Sequence, residues 1–226
     1  VATYLDPEFK TIYTRKDFAP VANYLFEPQA IVVKADSRFK DVKDIVDAAR
    51  GAPGQVKMGT AGLKSGNHLA GLGFQEMAGV EFAYVQFDGG ASSLTALLGD
   101  NVDVVTVSTG STMAQAKAGN IRLVGIMDDQ PSKFYPNVKT LEAQGYKAYF
   151  GNALGICAPA GTPPEIISIL TGAIKTALDT PELQKRMDDA GQSIRYMDPS
   201  RYAAYWAEQE PVVKKLLELA DKPSSS

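Results

Sequence analysis

The segment Gly59-Thr60-Ala61-Gly62-Leu63-Lys64-Ser65-Gly66-Asn67-His68-Leu69 concentrates the residues best suited to chemistry. A strand pattern ends, the backbone turns through glycines, and a helical pattern starts behind Ser65. The first N–H groups of a helix have no partners within it. With the Thr60 and Ser65 hydroxyls beside them they form a place for an anion. The segment is not a P-loop: that motif needs four residues between its first glycine and a Gly-Lys-Ser/Thr triplet, and here Leu63 separates Gly62 from Lys64-Ser65. Asp88-Gly89-Gly90-Ala91-Ser92-Ser93 repeats the strand, glycine turn and helix start, and Ser108-Thr109-Gly110-Ser111 repeats it again. In open α/β sheets ligands sit outside the carboxyl ends of the strands, so three such turns in one lobe converge on one crevice.

A helix N-terminus contributes ~0.3–1 kcal/mol to an exposed anion and up to ~2 kcal/mol to a partly buried one. Micromolar affinity requires about 8 kcal/mol. Hydrogen bonds shielded from water must therefore supply the larger share, which favours a cleft that closes over its ligand.

Other chemistries find little support. His68 is the sole histidine and sits one helical residue past the turn, a position that suits packing better than base catalysis. There is no G-x-S-x-G elbow and no nucleophile–base pair, so the chain reads as a binder and not an enzyme. Cys157 is the single cysteine, which excludes an intramolecular disulfide and a cysteine-cluster metal site. It lies in an apolar run and is expected to be a core thiol. No cofactor or metal is implied. The 226 residues carry a net charge of −3, leaving no basic surplus for a nucleic-acid backbone. No apolar run approaches the ~20 residues that span a bilayer.

Alternating strand and helix patterns must position these turns. Strands are expected at Ala30–Val33, Val56–Gly59, Phe82–Phe87, Val102–Val107 and Ile121–Ile126. Helices are expected at Asp41–Arg50, Asn67–Ala78, Ser92–Leu98 and Thr109–Ala118. This repetition means βα units and parallel sheets. Later come a strand at Leu154–Ala158 and three helices opened by Thr162-Pro163-Pro164-Glu165 (a capping box), Thr180-Pro181 and Asp198-Pro199. The last helix carries an apolar stripe of Tyr202, Tyr205, Trp206, Val213 and Leu217. The tail Lys222–Ser226 reads as a disordered end.

Four segments resemble the tripartite tricarboxylate transporter receptors, or Bug proteins. They are Asp17-Phe18-Ala19-Pro20-Val21-Ala22; Gly59-Thr60-Ala61-Gly62 with Ser65 and His68-Leu69; Phe87-Asp88-Gly89-Gly90; and, the strongest match, Ala158-Pro159-Ala160-Gly161-Thr162-Pro163-Pro164. Order and spacing hold from about Asp17 to Leu217. The resemblance implies an α/β, bilobal periplasmic-binding-protein type II (flytrap) fold, with two parallel-type sheets flanked by helices. Residues 1–32 and 125–226 would form lobe I, and 33–124 lobe II. It also implies a periplasmic receptor that captures a small organic carboxylate and delivers it to the membrane subunits of a tripartite tricarboxylate transporter. Thr60, Ala61, Gly62, Ser65, His68, Asp88, Gly89, Gly90 and Ser108 would serve the ligand site from lobe II, with Phe150 and Gly151 facing them.

The sequence departs from the family pattern in two places. Relatives open with a strand, a Gly-rich loop with Thr/Ser-Asp and a helix that grip a carboxylate, and nothing before Asp17 matches. The resemblance therefore implies a first lobe missing its N-terminal part, weak or absent ligand binding, and an exposed sheet edge that could pair with another chain. The intact protein would be a monomer. The second departure is Asp88, where many relatives carry a basic residue. It would repel a second carboxylate or accept from a ligand hydroxyl or amine. The competing reading is a ligand-sensing effector domain of a LysR-type regulator, which shares the bilobal plan but needs a helix-turn-helix ahead of it.

Overall fold

The computed structural model describes residues 2–221. The tail Lys222–Ser226 lies outside the described residues. The chain divides into two compact units, one of Val1–Glu27 with Ala153–Glu218 and one of Pro28–Asn152 with Leu219–Ser226. The second unit therefore begins before residue 33 and runs past residue 124. The reason lies in strand pairing. Gln29 to Lys34 are laddered to the two neighbouring strands of that unit's sheet, so a division at 32/33 would cut the sheet.

The strands are β1 (Phe18–Lys34), β2 (Lys57–Thr60), β3 (Ala83–Gln86), β4 (Val104–Ser108), β5 (Ile121–Ile126), β6 (Gly151–Pro159) and β7 (Ile194–Met197). The helices are α1 (Val42–Gly51), α2 (Gly66–Ala78), α3 (Gly90–Leu98), α4 (Thr109–Lys117), α5 (Pro164–Leu178), α6 (Pro181–Asp189) and α7 (Pro199–Ala220).

In the larger unit the sheet order is β3-β2-β4-β1-β5. β2 runs parallel to β3 and β4, as βα units require. β1 runs antiparallel to both β4 and β5, so the sheet is mixed where an all-parallel one was expected. Apolar patterning reports that a strand is buried and carries no information on its direction. Alternation along the strands sorts the core onto two faces. Ile31, Val33, Met58 and Val104 pack with Phe74 of α2 and with Val42, Ile45 and Val46 of α1. Ala30, Val32, Val105 and Val107 pack with Leu94 and Leu97 of α3. α1 starts where Asp41 accepts the Asp44 N–H at 2.9 Å. Arg122 ties the β1–α1 connection by donating to the carbonyls of Ala35, Ser37 and Phe39 at 2.7, 3.4 and 2.8 Å.

In the smaller unit the first half of β1 pairs with β6 and, antiparallel, with β7. Val21, Ala22, Leu25 and Phe26 form its core with Tyr202 and Tyr205 of α7. Asn23 is fully buried and donates to the Arg195 carbonyl at 2.8 Å. α7 lies close on β6 at Gly155, where an added Cβ would stand 2.6 Å from both the Ala22 carbonyl oxygen and Tyr202 Cε1.

Two sequence expectations are corrected in this unit. Cys157 is exposed and not a core thiol. Among the described residues β6 pairs only with β1, and Leu154 and Ile156 are exposed beside Cys157. An apolar run marks a strand but does not show that both its faces are covered. Thr162 forms no capping box. Pro163 is the N-cap of α5 without a side-chain bond, and the Thr162 hydroxyl turns back to the Pro159 carbonyl at 2.8 Å. Asp198 does cap α7, accepting the Arg201 N–H at 2.8 Å.

Candidate functional site

β2 ends at Thr60, which is fully buried. Its carbonyl accepts the Phe87 N–H at 3.0 Å and its hydroxyl donates to Gln86 Oε1 at 2.5 Å. The turn then passes through Ala61, Gly62 at φ +107° and Lys64 at φ +57°. Lys64 is one of the few non-glycine residues in the left-handed region, a conformation that costs about 1–2 kcal/mol. Three contacts hold it there. The Ser65 N–H donates to Gly62 O at 3.2 Å, the Lys64 N–H donates to His68 Nδ1 at 3.1 Å, and Lys64 Nζ meets Asp221 Oδ1 at 2.7 Å.

Ser65 is the N-cap of α2, its Oγ accepting the His68 N–H at 3.2 Å. His68 is buried, and burial pushes its pKa down to about 4. Because Nδ1 accepts a hydrogen bond, the ring proton sits on Nε2 and the imidazole is neutral. Its ring meets Tyr84 edge-on at 4.9 Å. His68 thus braces the turn through its Nδ1 and its backbone N–H.

The second turn follows β3. Asp88 is exposed, and Gly89 at φ +147° is the N-cap of α3 without a side-chain bond. Gly90 is pressed onto β4: an added Cβ would stand 3.0 Å from Val107 Cγ2. The third turn follows β4, where Ser108 is the N-cap of α4 and its Oγ lies 2.9 Å from Ser111 Oγ. Since β2, β3 and β4 are parallel neighbours, α2, α3 and α4 all start at one edge of the sheet. The structure therefore brings Thr60, Ala61, Gly62, Ser65, Asp88, Gly89, Gly90 and Ser108 to a common edge, with three helix N-termini.

Phe150 and Gly151 lie in the same unit as these turns. The Phe150 ring packs over Gly73 of α2, where an added Cβ would stand 2.2 Å from Phe150 Cζ. Its backbone is pinned as well, the N–H donating to Met127 O at 3.1 Å and the carbonyl accepting from Gln29 N at 2.9 Å.

Sequence reasoning missed Gln29. The antiparallel β1 brings it to the same edge, opposite Ser108. It is 1% exposed. Its Oε1 accepts from Asn67 Nδ2 at 2.8 Å, while its Nε2 is buried without a partner among the described residues. The available signal was an amide directly ahead of the apolar run Ala30–Val33.

The tripartite tricarboxylate transporter family receptor profile (TctC) matches residues 2–221. The chain belongs to this receptor family. Among the proteins it resembles is one encoded in the gbd 5′ region of Cupriavidus necator, 29% identical over 219 residues, covering 94% of this chain and 67% of that protein. The chain spans 53% to 67% of the length of four curated relatives it matches. A solved TctC solute-binding protein from Polaromonas superposes with a TM-score of 0.85 at 28% identity, covering 96% of this chain and 75% of that one. Two proteins of Rhodopseudomonas palustris, one solved with malate and one with adipate, share the fold, each at 22% identity with a TM-score of 0.77. The malate protein is covered to 74% and the adipate protein to 69%, by 96% and 90% of this chain respectively. Among the described residues no helix is long and apolar enough to cross a membrane, and no group of three or more His, Cys, Asp and Glu side chains could hold a metal.

Proposed function

We propose that the chain is the ligand-holding part of a periplasmic receptor that binds a small organic carboxylate and passes it to the membrane subunits of a tripartite tricarboxylate transporter. The observation that carries this reading is the convergence of three helix N-termini on one sheet edge. Each presents backbone N–H groups to an anion, and Ser65 and Ser108 add hydroxyls. The malate- and adipate-bound neighbours support the choice of carboxylate. Asp88 stands at the second turn as the one acid, and it would accept from a hydroxyl or amine on the ligand while repelling a second carboxylate placed close to it.

Backbone-amide NMR tests this without depending on tight binding. Malate, adipate and citrate at millimolar concentrations, each paired with its uncharged amide, are titrated into the labelled protein. Carboxylates are expected to shift the amides of residues 62–67, 89–92 and 109–111 in a saturable way, and the amide analogues to leave them in place. Saturable shifts elsewhere, or none with any acid, would remove the carboxylate site from these turns.

A further inference from the structure

We propose that the Gln29 carboxamide, oriented by Asn67, donates directly to a ligand oxygen and so sets this receptor's ligand preference. The inference rests on the carboxylate-receptor reading and adds a residue outside the three turns. A buried N–H group is nearly always satisfied, because a donor removed from water without a partner is destabilising. Gln29 Nε2 breaks that rule at 1% exposure.

Its surroundings place it at the site. Gln29 lies across the strand pair from Ser108, the N-cap of α4. Ile31 and Val33, the next residues in alternation, pack on the face covered by α1 and α2, so the Gln29 side chain stands on the α2 face. There Asn67, in the first turn of α2, holds its oxygen at 2.8 Å. Asn152 comes close to the same turn, its Oδ1 lying 2.9 Å from where a Cβ on Gly66 would be. With its oxygen held by Asn67, the carboxamide leaves its NH₂ group, not its carbonyl, as the buried and unpartnered group at this edge of the sheet. An amide fixed in this sense offers a ligand its donor and selects for an acceptor oxygen. A carboxylate fits best, since a charged acceptor roughly doubles the strength of the bond.

The experiment is the same NMR titration, with the side-chain amide signals of Gln29 followed in the wild-type protein. Malate or adipate should move the Gln29 NH₂ resonances with the same saturation curve as the amides of the three turns. Gln29→Met keeps the length of the side chain and removes the donor, and it should raise the apparent Kd roughly tenfold, the value of one charge-assisted hydrogen bond. Asn67→Asp keeps a residue favoured in a helix's first turn and supplies only an acceptor. It should draw the Gln29 NH₂ away from the ligand, which the side-chain resonances report before any acid is added. If acids shift the turns while the Gln29 NH₂ signals stay still and Gln29→Met binds as wild type, this inference fails and the receptor reading stands. If no acid shifts the turns, both fail.

Discussion

Acidification from about pH 7 to about pH 5 acts on stability through one imidazole. His68 is the sole histidine and is 3% exposed. Burial depresses its pKa from 6.5 to about 4. The unfolded chain therefore binds a proton in a range where the folded protein does not. The contribution is fully present above about pH 6.5 and is lost as the pH falls toward 4. Linkage between those two pKa values amounts to roughly 2 kcal/mol from pH 7 to 5, and at most about 3 kcal/mol at lower pH. The geometry agrees with the sign: a proton on Nδ1 would break the bond from the Lys64 N–H, 3.1 Å long, that helps hold the turn. Urea unfolding at several pH values, on the wild type and on His68→Asn, measures the effect. Asn can offer Oδ1 to the same N–H but does not titrate. The wild type should lose roughly 2 kcal/mol over the interval and the variant about 0.5 kcal/mol or less. Parallel pH dependences of the two proteins would refute the reasoning, as would an imidazole that titrates near 6.5 in the folded state by NMR.

Gly73→Ala should destabilise by about 1–3 kcal/mol. Its new methyl would stand 2.2 Å from Phe150 Cζ, and Phe150 is pinned at both backbone groups, so a thermal melt should fall clearly below the wild type. Arg122→Met leaves the Ala35, Ser37 and Phe39 carbonyls without their shared donor and should cost about 2–3 kcal/mol by urea unfolding. Cys157 is exposed and should react fully with a thiol-specific dye in the native protein; a thiol protected until denaturation would show that β6 is covered. The same strand presents Ile156 at 44% exposure, and concentration-dependent association is expected in light scattering, with Ile156→Lys abolishing it.

The βα succession was legible because the central strands of the larger unit, β4 and the second half of β1, are each buried in one continuous stretch. All five residues of β4 are buried, and a β-branched run of that kind has few other solutions. The first half of β1 was not legible, because Pro20, Asn23, Glu27 and Pro28 interrupt its pattern. Asn23 is buried all the same, its amide nitrogen donating to the carbonyl of Arg195, 172 residues away in sequence. The same limit governs the site. The three turns could be read from glycines and hydroxyls, which act through local backbone geometry. Thr60 reads from the sequence as a free hydroxyl, but Gln86 holds it, and His68 reads as a packing residue beside the ligand site, with no sign that its Nδ1 holds the turn. Gln29 makes the point most sharply. Whether a buried amide is satisfied depends on Asn67, 38 residues on, and on what stands beside the nitrogen. Pattern reports burial, and only packing reports satisfaction. An unsatisfied donor at the edge where three helices begin is therefore the kind of functional signal that the sequence conceals and the fold exposes.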